Sequence, residues 1–307
     1  MRVIVTGGTG IIGSRLVAAM ANEGHEVIVL SRSPERHQFP AEARGEKWDS
    51  RTAEGWGHLM NGTDAVVNLA GENIGGDGLV PDRWSEDKKR RIKESRWEAG
   101  QALVQAIEQA ETKPKVLYQA SGIDYYASGD TVKTETAPPG NSFLADVAAN
   151  YWEPSTAAIE EMGVRRVIGR MGVVLDADSG PLQRSLLQFK LFAGGRLGSG
   201  DQWWSWLHMD DAVSAIYYLT AHESARGAVN VATPNPVTNR AYTEALADVM
   251  GRPKLLPVPA FALKIALGET ADLVLEGRPV SVAKLESLGY RFRYPLIRPA
   301  LADLIKN

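Results

Sequence analysis

The sequence predicts an α/β protein with a Rossmann-type, doubly wound parallel sheet and a smaller C-terminal lobe. Three observations predict it. Short β-branched runs alternate with helical stretches in the first half, a glycine-rich turn joins the first strand to the first helix, and the alternation loosens beyond about Arg170. We therefore expect a Rossmann domain over residues 1–169 and a lobe over residues 170–307, with some strands of the lobe joining the main sheet.

The strands of the first half are expected from short apolar runs, whose length is typical of buried parallel strands. They fall at residues 2–6, 25–30, 64–69, 116–120 and 164–169. Helical patterns lie between them at 14–23, 85–110 and 142–162, and Gly163 suits the C-terminal cap of the last helix. In the second half, the patterns predict helices at 210–221, 240–250 and 299–306 and a strand at 228–231.

Composition excludes several classes of protein. Of the 307 residues, 44% are hydrophobic and 23% charged, which is ordinary for a globular protein and argues against disorder, a fibre or a coiled coil. The formal charge of −3 disfavours a nucleic-acid partner. With no cysteine, the chain cannot form disulfides, thiolate metal sites or iron–sulfur clusters, and it suits a reducing compartment such as the cytoplasm. The first strand follows Met1 directly, so we expect no signal peptide, and no uncharged apolar stretch is long enough to span a membrane.

The strongest motif is the glycine turn between the first strand and the first helix. Gly7 permits the tight turn, Gly10 lets the backbone approach a pyrophosphate, and Gly13 lets helix and strand pack closely. The helix N-terminus adds free N–H groups and the positive end of its dipole. The turn, which includes Thr9, Ile11 and Ile12, therefore predicts a dinucleotide site in the first domain.

The end of the second strand indicates which dinucleotide binds. An NAD site usually has an acidic residue there, whereas an arginine accommodates the 2′-phosphate of NADP. The sequence has Ser31-Arg32 and no acid at this point. A charge-assisted hydrogen bond of roughly 1.5–3 kcal/mol from Arg32 would give NADP(H) a preference of about ten- to a hundredfold. The alternative is a solvated loop arginine.

The glycine turn, Asn68-Leu69-Ala70-Gly71-Glu72 and the Tyr125-Tyr126 pair resemble an extended short-chain dehydrogenase/reductase. Later segments resemble an atypical branch labelled "epimerase family" or nucleoside-diphosphate-sugar epimerase-like: Arg83-Trp84, Ser95-Arg96, Arg170-Met171-Gly172-Val173-Val174-Leu175, Gly198-Ser199-Gly200, Trp206-Leu207-His208-Met209-Asp210-Asp211 and Gly251-Arg252-Pro253. The resemblance covers essentially the whole chain. It implies a Rossmann core, bound NADP(H) and a C-terminal lobe on the substrate side. It also adds Leu69, Ala70, Gly71, Glu72, Arg96 and Val174 to the cofactor site, with Glu72 either bonding a ribose hydroxyl or capping a loop.

The resemblance also exposes a gap in the catalytic residues. Ordinary members carry Tyr-x-x-x-Lys on the helix after the fifth strand, where the Tyr protonates the substrate oxygen and the Lys assists it. Here those places hold Phe143 and Val147, neither of which transfers a proton. Ser121 does match the family's serine or threonine, which hydrogen-bonds the reacting oxygen.

A tyrosine beyond Ser121 is the expected replacement for the missing pair. Tyr125 or Tyr126 could donate the proton if a nearby cation lowered its pKa, and Arg96 is the cation we expect there. The alternative is that the tyrosines line the site without titrating. Asp124, where the branch more often has a small residue, is interpreted as a turn residue.

Other candidates have structural interpretations beside functional ones. His208 is either an acid/base or a histidine that ties a loop to the helix after it, where Asp210 resembles an N-cap. The tryptophans 203, 204 and 206 form a pocket wall or a packing plug. The basic run 88–91 alternates with acids and is expected to be a solvated helix face. No histidines have ligand spacing, so we expect no metal.

The leading hypothesis is an NADP(H)-dependent oxidoreductase that reduces a carbonyl group of an unknown small molecule, with Ser121 and Tyr125 or Tyr126 as catalytic residues. One alternative is a catalytically silent cofactor-binding sensor or interaction protein, since some relatives carry a cell-division label. Another is a sugar-nucleotide epimerase, for which no base is evident. We expect no nucleic-acid or membrane partner, and either a monomer or a homodimer.

Overall fold

Seven parallel strands form the central sheet of the computed structural model, which describes residues 1–76, 78, 80–253 and 257–306. The strands are β1 Arg2–Thr6, β2 Glu26–Ser31, β3 Ala43–Lys47, β4 Ala65–Asn68, β5 Val116–Gly122, β6 Arg165–Met171 and β10 Gly227–Val231. Their spatial order is β10-β6-β5-β4-β1-β2-β3. Because β1 lies between β2 and β4, the direction of winding reverses at β1, and the crevice at its carboxyl end is where such folds bind ligands.

The described helices and the short strands outside the sheet complete the architecture. The helices are α1 Ile11–Asn22, α2 Glu86–Gln109, α3 Phe143–Asp146, α4 Gly180–Lys190, α5 Met209–Ala221, α6 Asn239–Met250, α7 Ala260–Leu267, α8 Asp272–Leu275, α9 Ala283–Ser287 and α10 Ile297–Lys306. Two small sheets pair β7 Val173–Leu175 with β9 Trp206–His208 and β8 Trp203–Trp204 with β11 Val237–Thr238. Across the described residues, none of the helices is both long and apolar enough to cross a bilayer.

Alternation along β1 shows how the sheet separates two cores. Val3 and Val5 belong to one buried cluster, together with α1 and α5, and Ile4 belongs to another, together with α2. Successive strand residues point to opposite faces, so a strand covered on both faces is apolar throughout. This explains why the central strands could be predicted from continuous apolar runs.

Two parts of the sheet differ from the expected plan. β3 was not predicted because its sequence, Ala-Arg-Gly-Glu-Lys, is polar, and an edge strand needs no second buried face. β6 continues to Met171, past the expected boundary at residue 169. β10 from the second half pairs with β6 in parallel, as expected of a strand of the lobe that joins the main sheet.

The segment predicted as one helix over 142–162 is helical but irregular. Four residues of α3 lead into a π-helix over Val147–Trp152 and a 3-10 helix over Pro154–Glu160. Pro154 has no N–H group, and its ring would clash with the carbonyl four residues before it in a regular helix. The wide π turn accommodates the proline, and Gly163 adopts the left-handed φ of +80° expected of a C-terminal cap.

Candidate active site

The glycine turn has the geometry of a site for a phosphate backbone. Gly7 has a φ of +66°, and a Cβ there would lie 2.7 Å from the backbone of Leu69. A Cβ on Gly13 would overlap the carbonyl oxygen of Gly7. Among the described residues, the carbonyl oxygen of Gly7, at 3.2 Å, is the neighbour that a Cβ on Gly10 would meet, so the space beyond Gly10 is open.

The start of α1 faces this open space. No described side chain caps the helix, so its first N–H groups have no side-chain acceptor. Ile11 is 46% exposed beside Gly10, Thr9 is half-buried, and Ile12 packs on the core below. The arrangement supplies donors, a positive helix dipole and an apolar surface that a bound dinucleotide would cover.

The second wall of the crevice is the segment that follows β4. Leu69 contacts Gly7, and Gly71 lies so close to Arg96 that a Cβ would be 3.0 Å from the guanidinium carbon. Ala70 is half-buried between them, and its N–H approaches Oγ1 of Thr6 at 3.3 Å. Small residues in this segment therefore keep the crevice open.

Arg32 is an exposed cation at the end of β2. It makes no hydrogen bond or ion pair with any residue in the described ranges. The preceding residue, Ser31, is buried, and its hydroxyl accepts a hydrogen bond from the N–H of Ser33. A cation on a fixed strand end, without a carboxylate partner, suits a phosphate on an adenosine ribose.

Glu72 bonds to two residues of α2. Its carboxylate lies 2.8 Å from Nζ of Lys88, and its N–H donates to Oγ of Ser95. The hydrogen bond from Lys88 lowers the pKa of Glu72 below its ordinary value. These contacts support the loop-capping alternative. The expected solvated helix face holds for Arg90 and Arg91, which are exposed, but not for Lys88, which is buried.

Arg96 does not contact the tyrosine pair in the described structure, which corrects the role expected of it. Its guanidinium lies 4.3 Å from the ring centroid of Trp152 and donates to the carbonyl oxygen of Glu72. Burial lowers the pKa of Arg96 to about 10. It remains a candidate for the cofactor crevice through its contact with Gly71.

The cation beside the tyrosines is Arg170, on β6. Its guanidinium carbon lies 3.4 Å from the ring centroid of Tyr125, and its Nη1 donates to the hydroxyl of Tyr126 at 2.9 Å. Nε and Nη2 each donate to one carboxylate oxygen of Glu153, both at 2.8 Å. The bidentate pair is buried, with Arg170 4% and Glu153 8% exposed.

Ser121 completes this network at the end of β5. Its hydroxyl donates to Oε1 of Glu153 at 2.8 Å, and it lies opposite Arg170 in the pairing of β5 with β6. The π turn directs Glu153 to this position, because the Glu153 N–H bonds to the carbonyl of Ala148, five residues back, rather than four. With its proton held by the carboxylate, Ser121 keeps its lone pairs for another donor.

The two tyrosines have different environments. Tyr126 is fully buried, and its hydroxyl donates to Oδ1 of Asn230 while accepting from Arg170. Burial raises the pKa of Tyr126 above its ordinary value, opposite to the lowering expected of a proton donor. Tyr125 is half-buried, and its hydroxyl has no hydrogen-bond partner in the described part of the chain.

Comparison with known families decides where the chain belongs. A model of the NAD dependent epimerase/dehydratase family matches residues 3–232. The chain belongs to this family. A second model, described as a domain of unknown function (DUF1731), matches residues 258–304.

Individual relatives agree with this family. The chain is 40% identical over 311 residues to an epimerase family protein SDR39U1 homolog, chloroplastic, of Arabidopsis thaliana, covering 100% of the chain and 87% of the relative. The crystal structure of human epimerase family protein SDR39U1 with NADPH is 30% identical, with a TM-score of 0.89 and complete coverage of both chains. A nucleoside-diphosphate sugar epimerase of Corynebacterium glutamicum is also 30% identical, with a TM-score of 0.77, covering 98% of this chain and 57% of that one. The resemblance and the fold class predicted from the sequence are confirmed.

The places of the usual Tyr and Lys in the family are apolar here. Phe143 packs against Trp84, with ring centroids 5.2 Å apart, and Val147 is buried. Glu153 and Arg170 were not recognised as a pair from the sequence. Arg170 was visible as a charge at the end of an apolar strand, whereas Glu153 had no distinguishing pattern.

His208 caps a helix. Its Nδ1 accepts a hydrogen bond from the N–H of Asp210, so His208 rather than Asp210 is the N-cap of α5. The ring stacks on Tyr294 at 3.8 Å, and Nε2 lies 3.4 Å from the carboxylate of Asp303. Burial lowers the pKa of His208 below its ordinary value. These contacts support the structural interpretation.

The tryptophan segment lies mostly in the core of the C-terminal lobe. Trp206 is fully buried, and Trp204 packs on Tyr242 with ring centroids 4.5 Å apart. Trp203 is half-buried and donates to Asp130. The interpretation as core packing therefore holds for Trp204 and Trp206, but not for Trp203. Over the residues described here, no three His, Asp or Glu side chains form a cluster that could hold a metal ion.

Val174 connects the lobe to the crevice. It lies on β7 and packs against the same core cluster as Ile12 and Leu69. A salt bridge of 2.8 Å from Arg15 of α1 to Asp176, just after β7, holds the two segments together. Val174 therefore packs beside the segments that form the crevice, and its contact with the cofactor stays a prediction.

Proposed function

We propose that this protein is an NADP(H)-dependent oxidoreductase that reduces the carbonyl group of a small molecule. One observation carries the proposal. The ring of Tyr125 stacks on the guanidinium of Arg170, which lies opposite Ser121 in the sheet, and the Tyr125 hydroxyl has no hydrogen-bond partner in the described structure. Ordinary members of the family use the same three kinds of group, a serine at the place of Ser121 and a proton donor and a cation from other positions.

The residues at the crevice fit the cofactor. The turn from Gly7 to Gly13 and the start of α1 would hold the pyrophosphate, and Arg32 would hold the 2′-phosphate. The human relative, whose structure contains NADPH, supports this choice. When bound, NADPH supplies a hydride from C4 of its nicotinamide ring.

The protein's own groups would handle the proton. Tyr125 donates a proton to the oxygen of the carbonyl group as that oxygen becomes an alkoxide, and Ser121 accepts a hydrogen bond from the resulting hydroxyl. Glu153 holds the Ser121 proton, and Arg170 holds both oxygens of Glu153, so we regard these two as positioning residues. Tyr126 also positions, because its hydroxyl bonds to Arg170 and Asn230.

A matched pair of substitutions tests this assignment. Tyr125→Phe and Tyr126→Phe remove the same hydroxyl from neighbouring residues, and NADPH oxidation is followed at 340 nm with a panel of small aldehydes and ketones. Tyr125→Phe is expected to lower kcat about a hundredfold or more, the usual contribution of a general acid, without changing NADPH affinity. Tyr126→Phe is expected to lower kcat less than tenfold. Equal effects of the two substitutions would contradict the assignment.

A second candidate is a sensor that binds NADP(H) without chemistry, and Phe143 and Val147 favour it. It predicts tight NADPH binding in a fluorescence titration and no turnover with any carbonyl compound. Ser121→Ala would then change neither quantity. Under the oxidoreductase proposal, Ser121→Ala leaves binding intact and lowers turnover.

We also propose a reducing compartment, such as the cytoplasm, because the chain has no cysteine. One relative is named as chloroplastic.

A further inference from the structure

A cavity of about 250 Å³ lies against the loop that carries Tyr125. Half of the residues that line it come from the first part of the chain: Trp84 before α2, Asp124 beside Tyr125, and residues 142–144 at the start of α3. The remaining lining residues lie between 269 and 278, in the part of the chain that matches the domain of unknown function. The cavity therefore joins the Rossmann core to the C-terminal lobe at the place where the family normally protonates its substrate.

The polar groups of this cavity are mostly carboxylates. Asp124, Glu269, Asp272 and Glu276 contribute four, against the single guanidinium of Arg278. Glu269 is paired with Lys89 at 2.5 Å, and Asp124 is paired with Arg278. The lining thus has an excess of negative charge after its ion pairs are counted.

Asp272, which is exposed, is the carboxylate without an ion pair. No residue of the described chain lies within salt-bridge or hydrogen-bond distance of it, and the field of Lys264 acts on it only from farther away. Partial desolvation of its carboxylate at the cavity wall, followed by the repulsion of Glu276, raises the pKa of Asp272. A cationic group in the cavity would relieve this repulsion, whereas an anionic group would add to it.

Arg278 provides a different recognition group. It is 5% exposed, and its Nη1 and Nη2 face Asp124 and Glu276, the latter at 3.9 Å. Its buried Nε has no hydrogen-bond partner among the described residues. A buried N–H without an acceptor is costly. Because Arg278 also lines the cavity, its guanidinium is the donor available to an oxygen atom of a ligand there.

We propose that this cavity binds the substrate of the proposed reductase, and that the substrate is a small amino ketone, reduced to the corresponding amino alcohol. The ammonium group would lie near Asp272 and Glu276, an oxygen atom would accept from the Arg278 guanidinium, and the apolar part would pack on Trp84 and Phe143. At about 250 Å³, the cavity is smaller than the roughly 300–1,000 Å³ of sites for drug-sized ligands, so its volume suits a small molecule.

The inference rests on the proposed function, and a binding experiment separates the two. Three probes share one phenyl carbinol and differ in charge: 2-amino-1-phenylethanol (cationic), 1-phenylethanol (neutral) and mandelate (anionic). Each is titrated by calorimetry or NMR into the NADP⁺-loaded protein. We expect the cationic probe to bind at least tenfold more tightly than the neutral one, and mandelate to bind more weakly than both.

Two variants locate the effect. Asp272→Asn is expected to reduce the preference for the cationic over the neutral probe at least fivefold, and Asp178→Asn, an exposed acid outside the cavity, to leave it unchanged. Mandelate binding as tightly as the amine, or an Asp272→Asn variant with the original preference, would overturn the inference. Selective binding of the amine without NADP⁺ reduction would support the site and contradict the proposed reaction. Oxidation of the neutral alcohol in preference to the amine would support the reaction and overturn the amine site.

Discussion

Replacing Glu153 by Gln should cost far more stability than an ordinary charge substitution. Both members of the Glu153–Arg170 pair are less than a tenth exposed, and both carboxylate oxygens accept from the guanidinium at 2.8 Å. The glutamine keeps the shape but leaves the buried cation without a counter-charge. Breaking such a pair on one side costs about 3–5 kcal/mol.

The expected change in melting temperature follows from the size of the chain. An unfolding entropy of roughly 2.1 cal/mol/K per residue over 307 residues gives a shift of about 5–8 °C for this loss. The assay is urea and thermal unfolding followed by circular dichroism. Glu98→Gln is the control, because Glu98 pairs with Arg51 at 2.9 Å on the surface, where a pair is worth about 0–1 kcal/mol.

A double substitution tests the reason for the loss. Glu153→Leu with Arg170→Met removes both charges together, so its cost should be well below the sum of the single substitutions. The reasoning is refuted if Glu153→Gln costs less than about 1 kcal/mol, or if the double variant is additive.

Three further predictions concern the cofactor and the pH dependence. Arg32→Gln should weaken NADPH binding ten- to a hundredfold by roughly 1.5–3 kcal/mol and leave NADH binding unchanged in fluorescence titrations, while Arg51→Gln should change neither. Gly10→Ala should keep the melting temperature within about 2 °C, because its Cβ meets one carbonyl oxygen at 3.2 Å. The same substitution should weaken NADPH binding at least tenfold, because the Cβ would occupy the space of the pyrophosphate. Normal NADPH binding by this variant would contradict the placement of the cofactor at the glycine turn. The folded state lowers the pKa of His208, so the unfolded chain binds more protons and the free energy of unfolding should fall as the pH drops below about 6.5. Urea unfolding between pH 7.5 and 5.5 measures this dependence. The free energy of unfolding of His208→Gln should change less with pH than that of the wild type, whereas His37→Gln should behave like the wild type.

The sheet could be predicted from the sequence because its central strands are buried on both faces and are therefore apolar throughout. The glycine turn was equally visible, since its spacing reflects steric limits at Gly7 and Gly13 that the structure shows directly. β3 could not be recognised in this way, because an edge strand carries polar residues and is held by backbone pairing with β2.

The proposed catalytic network was only half visible in the sequence. Ser121 and the tyrosines follow a strand end, where functional residues are expected. Glu153 lies in an irregular helix, and its contact with Arg170 depends on a π turn that no periodic pattern indicates. The sequence alone favours Arg96 as the cation beside the tyrosines, whereas in the structure that cation is Arg170.

The most direct test of the account is a crystal structure of the protein with NADPH bound. We expect the 2′-phosphate to contact the Arg32 guanidinium and the nicotinamide C4 to face Ser121 and Tyr125, with room for a carbonyl oxygen about 3 Å from the tyrosine hydroxyl. A 2′-phosphate directed into solvent, or a nicotinamide ring turned away from Ser121, would contradict it.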